Sequence, residues 1–129
     1  MWYNLIRKNE GGNPMIKLNE LKISYHFQND RNERKTRIDA IVNGNFGQVV
    51  IEEWYKDAWR CLTDTGLIAI VEPKKEIILT YYFAPLKTAQ MMYKASFRKM
   101  PEAVINKIKK NAKTYLQMYH ESVDKPAGI

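Results

Sequence analysis

The hydrophobic period of this chain changes once, at Pro85, and that change limits the fold more than any other feature. Before it, apolar residues recur at every second position or in short unbroken runs; after it they recur at every third or fourth. Period two is the mark of a strand with one buried face, and period 3.6 that of an amphipathic helix. The chain therefore reads as a sheet-forming part followed by a helical part, an α+β domain.

In the first part, Leu21, Ile23, Tyr25 and Phe27 alternate with Lys22, Ser24 and His26, which predicts a half-buried strand within residues 16–27. Residues 29–35 read as a polar turn, and residues 36–42 as the next strand. Asn43-Gly44-Asn45 then predicts a hairpin, because Asn and Gly tolerate positive φ. Further strands are expected at 48–54, 59–62 and 76–83, with turns at Lys56-Asp57, Thr63-Asp64-Thr65-Gly66 and Glu72-Pro73-Lys74-Lys75. Between the last two turns, Leu67-Ile68-Ala69-Ile70-Val71 is apolar throughout, which places it mid-sheet with both faces covered. The short connections favour antiparallel meander pairing.

After Pro85, Leu86, Ala89, Tyr93, Phe97 and Met100 share one helical face, and Lys87, Lys94 and Arg98 another. Pro101 breaks this helix and suits the first position of the next, with Glu102 where the helix dipole favours an acid. Ile105, Ile108, Ala112, Tyr115 and Tyr119 repeat at 3-4-3-4 spacing, with Lys107, Lys110 and Lys113 on the other side. The expected architecture is an antiparallel sheet of about five or six meander strands. Two C-terminal helices, at 86–100 and 102–120, pack on one of its faces.

A chain of 129 residues has room for one core without disulfides, and the single cysteine, Cys61, offers none. That usage makes the cytoplasm the expected compartment. No run approaches the roughly 20 apolar residues that span a bilayer, so no membrane partner is expected. Nor is a signal peptide expected, since residues 1–6 lead straight into Arg7, Lys8 and Glu10. One domain is expected over 15–122, with an arm at 1–14 and a frayed tail at 123–129. Glu10-Gly11-Gly12 is encodable by a ribosome-binding sequence, which makes Met15 one reading of the native start. The other reading is a loop joining a short strand at 2–7 to the domain.

The six glycines form no phosphate-cradling loop, and Cys61, His26 and His120 have no metal-ligand spacing. No metal or cofactor is expected. Charge is the stronger signal. Of a net +7, six charges lie in residues 86–129, where nine Lys and Arg face three acids; residues 1–85 carry twelve against eleven. Lys87, Lys94, Arg98, Lys107, Lys110 and Lys113 are thus candidate nucleic-acid contacts, each phosphate neutralised releasing counterions. The plainer reading is a solvated lysine face. Trp54, Tyr55, Trp59 and Arg60 form a second candidate, a protein interface or a base-stacking platform, against a reading in which Trp54 and Trp59 meet in the core.

His26, followed by Arg31 and Arg34, is a third candidate, because a histidine beside arginines suits acid–base cleavage of RNA. This segment resembles the His-then-Arg opening of small barnase-like toxin modules, and residues 64–81 look like their final β-hairpin. The resemblance covers about a third of the chain. It departs from the family pattern in placing the histidine on strand periodicity, where the family has a helix, and in the spacing from His26 to Arg31. In style the whole chain is similar to accessory proteins of low-GC phages and mobile elements. The leading expectation is a non-enzymatic binding module that contacts nucleic acid, or a nucleoprotein complex, through its C-terminal helices. A protein-directed inhibitor of a host-defence complex, anti-CRISPR-like, or of a processing complex, is the alternative. A small barnase-like ribonuclease is the second alternative, and a homodimer is left open.

Overall fold

The computed structural model describes residues 6–8, 15–28 and 33–123. The expected tail, Val123 aside, lies outside them, as does most of the expected arm. Six strands form one sheet: β1 (Ile6–Lys8), β2 (Lys22–Ile23), β3 (Val49–Tyr55), β4 (Ala58–Thr63), β5 (Leu67–Val71) and β6 (Ile77–Phe83), in the order β1-β3-β4-β5-β6-β2. The helices are α1 (Tyr25–Gln28), α2 (Glu33–Val42), α3 (Leu86–Ala95) and α4 (Glu102–Val123), with a 3-10 turn at Leu18–Glu20. The α+β class is as expected.

The all-antiparallel meander is not. β3 to β6 do form one, but β2 joins β6 in parallel, Lys22 beside Ile77 and Ile23 beside Ile78, so the sheet is mixed. Ser24 is the reason β2 is so short: its Oγ accepts the Phe27 N–H at 3.2 Å, capping a helical turn where alternation predicted strand.

Residues 36–42 are also helical rather than extended. Over so short a stretch both templates find apolar residues, Ile38, Ala40 and Val42 at a period of two and Ile38, Ile41 and Val42 at a period of 3.6, and the Lys35–Asp39 pair at 2.5 Å, one turn apart, favours the helix. Asn43 (φ 48°) and Gly44 (φ 76°) use their left-handed tolerance to end α2 instead of closing a hairpin. The structure therefore has four helices among the described residues, two of them ahead of the meander.

Alternation along the strands divides the core in two. Trp59, Cys61, Leu67, Ala69, Val71, Ile78 and Tyr81 face α2, Leu18 and Phe27. Ile51, Leu62 and Ile68 face Ala89, Met92 and Tyr93 of α3 and Val104 and Ile108 of α4. Both faces of the sheet are covered, which accounts for the unbroken apolar run in β5. Tyr81 Oη donates to Asp39, tying β6 to α2. Burial, aided by that carboxylate, pushes the Tyr81 hydroxyl well above the ordinary tyrosine range. The Lys56-Asp57 turn between β3 and β4 has φ of 51° and 62°, both positive as a two-residue hairpin turn requires.

Candidate functional site

Helix α3 buries Ala89, Met92 and Tyr93 and turns Lys87, Met91 and Lys94 outward at i, i+4 and i+7. It stops five residues short of the expected end. Ser96, 1% exposed, sends its Oγ back to the Tyr93 carbonyl at 2.9 Å, and the chain reverses at Phe97. Arg98 then turns inward: its Nη1 donates to the Val50 carbonyl at 2.8 Å and its guanidinium sits 5.4 Å from the Tyr93 ring centroid. Of the six cations expected to meet phosphate, Arg98 is the one bound into the fold.

Helix α4 buries Val104, Ile108 and Asn111. The expected seam is correct at Ile108 and at half-buried Ile105 and Tyr115, but Ala112 is exposed; Tyr119 lies where side chains are outside the description. Asn111 takes the place of an apolar residue because its Nδ2 donates to the Thr65 carbonyl at 2.8 Å, joining α4 to the β4–β5 turn. Lys109, Lys110 and Lys113 stand exposed on the opposite side, while Lys107, also exposed, flanks the buried face and lines a small cavity with Asn111, Thr65 and Phe83. Among the described residues the ion pairs use Lys35, Arg60 and Lys75, and none of these helix lysines takes part.

The aromatic candidates are split by the pleat. Trp54 and Trp59 are register partners on one face, rings edge-to-face at 5.3 Å, and Trp59 is buried in the core with the Lys75 ammonium 4.5 Å from its ring centroid. Tyr55 and Arg60 occupy the other face, the guanidinium 4.0 Å from the phenol ring centroid and 2.6 Å from Glu53. The structure makes two pairs of these four residues, not one patch.

Glu52 and Glu53 belong to none of the sequence-predicted sites, yet both are buried, at 0% and 4% exposure. Adjacent on β3, they point to opposite faces: Glu53 takes Arg60, while Glu52 accepts the Ile16 N–H at 2.5 Å and lies 3.8 Å from Lys75. Two acids inside an apolar strand run are the signal that marks them. Cys61, paired with Glu52 across the strands, is fully buried, and burial reinforced by the Glu52 charge pushes its thiol far above the ordinary range.

His26 is exposed on α1, its ring 6.1 Å from that of Tyr25. Arg31 and the Arg34 side chain lie outside the described residues. Among the described residues no cluster of His, Cys, Asp and Glu is placed to hold a metal ion, and no helix is long and apolar enough to cross a membrane. No family model, curated protein or solved structure matches this chain.

Proposed function

We propose that this protein is a non-enzymatic module that binds nucleic acid, alone or within a nucleoprotein complex, through the outer surfaces of α3 and α4. One observation carries the reading: Lys87, Lys94, Lys107, Lys110 and Lys113 are all exposed on two consecutive helices where acids are scarce. A field of one sign on one part of a fold attracts a polyanion more strongly than the same charge spread evenly. A cytoplasmic site of action accompanies this reading, as does an origin among phage or mobile-element accessory proteins.

The test is binding of labelled oligonucleotides across a salt series. Lys107, Lys110 and Lys113 changed together to Glu should abolish binding and leave the fold intact, because all three are exposed. Replacing them one at a time should flatten the salt dependence by about 0.9 log unit per log unit of salt for each duplex phosphate no longer neutralised. No binding by the parent protein at low salt refutes the proposal.

A second reading is favoured by one observation. His26 stands exposed on a helical turn, which removes one departure from the barnase-like pattern and leaves the spacing to Arg31 as the other. A ribonuclease centred there would lose RNA cleavage in His26→Ala. The protein-directed alternative would rest on Tyr55 and the neighbouring turn, since Trp59 is buried.

A further inference from the structure

The small cavity beside Lys107 encloses about 160 Å³ where the end of α2, the β4–β5 turn and α4 meet. Its walls are apolar: Ile41 and Val42 of α2, Leu67 of β5 and Phe83 of β6. Thr65 adds no spare polar group, because its Oγ1 is committed to Thr63 and to the Phe46 carbonyl. Asn45, Lys107 and Asn111 complete the lining, and each keeps hydrogen-bonding capacity among the described residues.

Asn111 is the most telling of the three. It is 6% exposed, and its Nδ2 donates to the Thr65 carbonyl at 2.8 Å, yet its Oδ1 accepts nothing among the described residues. An acceptor left unsatisfied on so buried a side chain has to find its donor in the cavity. Asn45 is the complement. Its Oδ1 accepts the Gly47 N–H at 3.0 Å, which leaves its Nδ2 as a spare donor at the exposed rim. Lys107 is exposed at the same rim and enters no ion pair among the described residues. A donor, an acceptor and an ammonium therefore surround an apolar slot.

Size and charge narrow the ligand. A cavity of about 150 Å³ admits one benzene ring, so this one takes a single six-membered ring and excludes a fused pair. The C-terminal end of α2 brings the negative end of its dipole, which disfavours a bare anion inside. A neutral ring fits there, with any attached phosphate outside, beside Lys107. A flat ring that presents both an acceptor and an N–H donor, and that carries a phosphate, is a pyrimidine nucleotide. Pairing in a duplex occupies the edge that the two amides would read, so the base has to be unpaired. Exposed Lys110 and Lys113 lie farther along α4 and suit further phosphates, which favours a strand over a free nucleotide.

We infer that this cavity binds one unpaired pyrimidine base of a nucleic-acid strand, with Lys107 beside its phosphate. This rests on the nucleic-acid reading above and names the base that the protein prefers.

The experiment is fluorescence anisotropy with labelled oligo-uridine, oligo-cytidine and oligo-adenosine strands of equal length. It compares the parent with Asn45→Ala and with Val42→Phe, whose larger side chain fills the cavity; Asn111 is left alone because its bond to Thr65 seats α4. The parent should bind at least one pyrimidine strand more tightly than the adenosine strand. Asn45→Ala should lower that preference roughly 2- to 12-fold, the worth of one hydrogen bond, with the salt dependence unchanged. Val42→Phe should abolish it. Melting curves show whether each variant folds, and if Val42→Phe does not, Asn45→Ala alone decides. A fall in the preference in either folded variant sustains the inference. A parent that binds adenosine as tightly as both pyrimidines, or a preference unchanged in every folded variant, overturns it and leaves the nucleic-acid reading standing. Failure of the parent to bind any of the three strands at low salt overturns both.

Discussion

Changing Gly66 to alanine tests how α4 is seated against the sheet. Gly66 has φ of +81°, and a Cβ there would lie 2.9 Å from Ile108 Cγ1 and 3.0 Å from Asn111 Nδ2. Attractive carbon contacts begin near 3.5 Å, so both neighbours must yield. They have little room, being 3% and 6% exposed, and Asn111 is held to Thr65 by its 2.8 Å bond. The turn cannot retreat either: the Gly66 N–H donates to Thr63 and the Gly66 carbonyl accepts from Ala84. Left-handed backbone costs a non-glycine residue about 1–2 kcal/mol, and overpacking adds about 1–3 kcal/mol. Gly66→Ala should therefore lose about 2–5 kcal/mol, a large part of the ~5–15 kcal/mol that stabilises a domain.

Gly44→Ala supplies the control. Its φ of +76° is nearly the same, but a Cβ there has nothing within 4 Å. It should lose only the backbone component. Urea unfolding followed by circular dichroism gives the two midpoints, compared at unchanged m-value. If the two variants unfold at the same urea concentration, α4 does not rest on Gly66 and the seam through Ile108 and Asn111 is misplaced.

Two further predictions use other parts of the fold. Cys61 keeps its proton in the native state far above its ordinary value of 9.0, because of burial first and the Glu52 charge second. As pH rises through about 9 the unfolded chain releases that proton and the native chain does not, so the thiol's contribution to stability falls with pH; Cys61→Ala should remove this part of the slope in urea midpoints taken from pH 7 to 10, and an unchanged slope would contradict the buried placement. Deleting residues 1–14 removes β1, which adds three register pairs at the sheet edge beside Glu53, Glu52 and Ile51. The β3–β6 meander keeps its own pairing, so a modest fall in melting temperature with cooperative unfolding is expected, and loss of cooperativity would show β1 to be integral.

The parts of this fold that were legible in the sequence are those where one period excludes the other. Leu67–Val71 is too short and too uniformly apolar to be a surface helix, and α4 holds its 3.6 period over many turns. Residues 36–42 satisfy both templates, so pattern could not decide, and the choice fell to the Lys35–Asp39 pair and to packing of Ile38 beneath the sheet. Ser24 carried the information that ends β2, but a capping hydroxyl within an alternating run is visible only when its neighbours are known to turn. The parallel β2–β6 pairing was hidden for another reason: it joins segments more than fifty residues apart, and no local signal specifies which edge a two-residue strand will join.

The candidate site divides along the same line. The lysines were legible because a helix exposes whatever its apolar seam does not require, so spacing alone assigns Lys107, Lys110 and Lys113 to the outside. Trp54 and Tyr55 show the strand equivalent, since neighbours in sequence must part to opposite faces. Phe97 falls outside both rules. Spacing assigned it to the buried face of a longer helix, together with Met100, and Met100 is indeed buried. The helix ends one residue earlier, at its Ser96 cap, and once the chain turns left-handed the 3.6 period no longer governs where the next side chain points. A bulky residue at the first position beyond a helix is thus freed from the seam that its spacing implies. Its exposure depends on the cap alone, and the cap here is fixed by the Ser96 hydroxyl and the Arg98 side chain, neither of which contributes to hydrophobic periodicity.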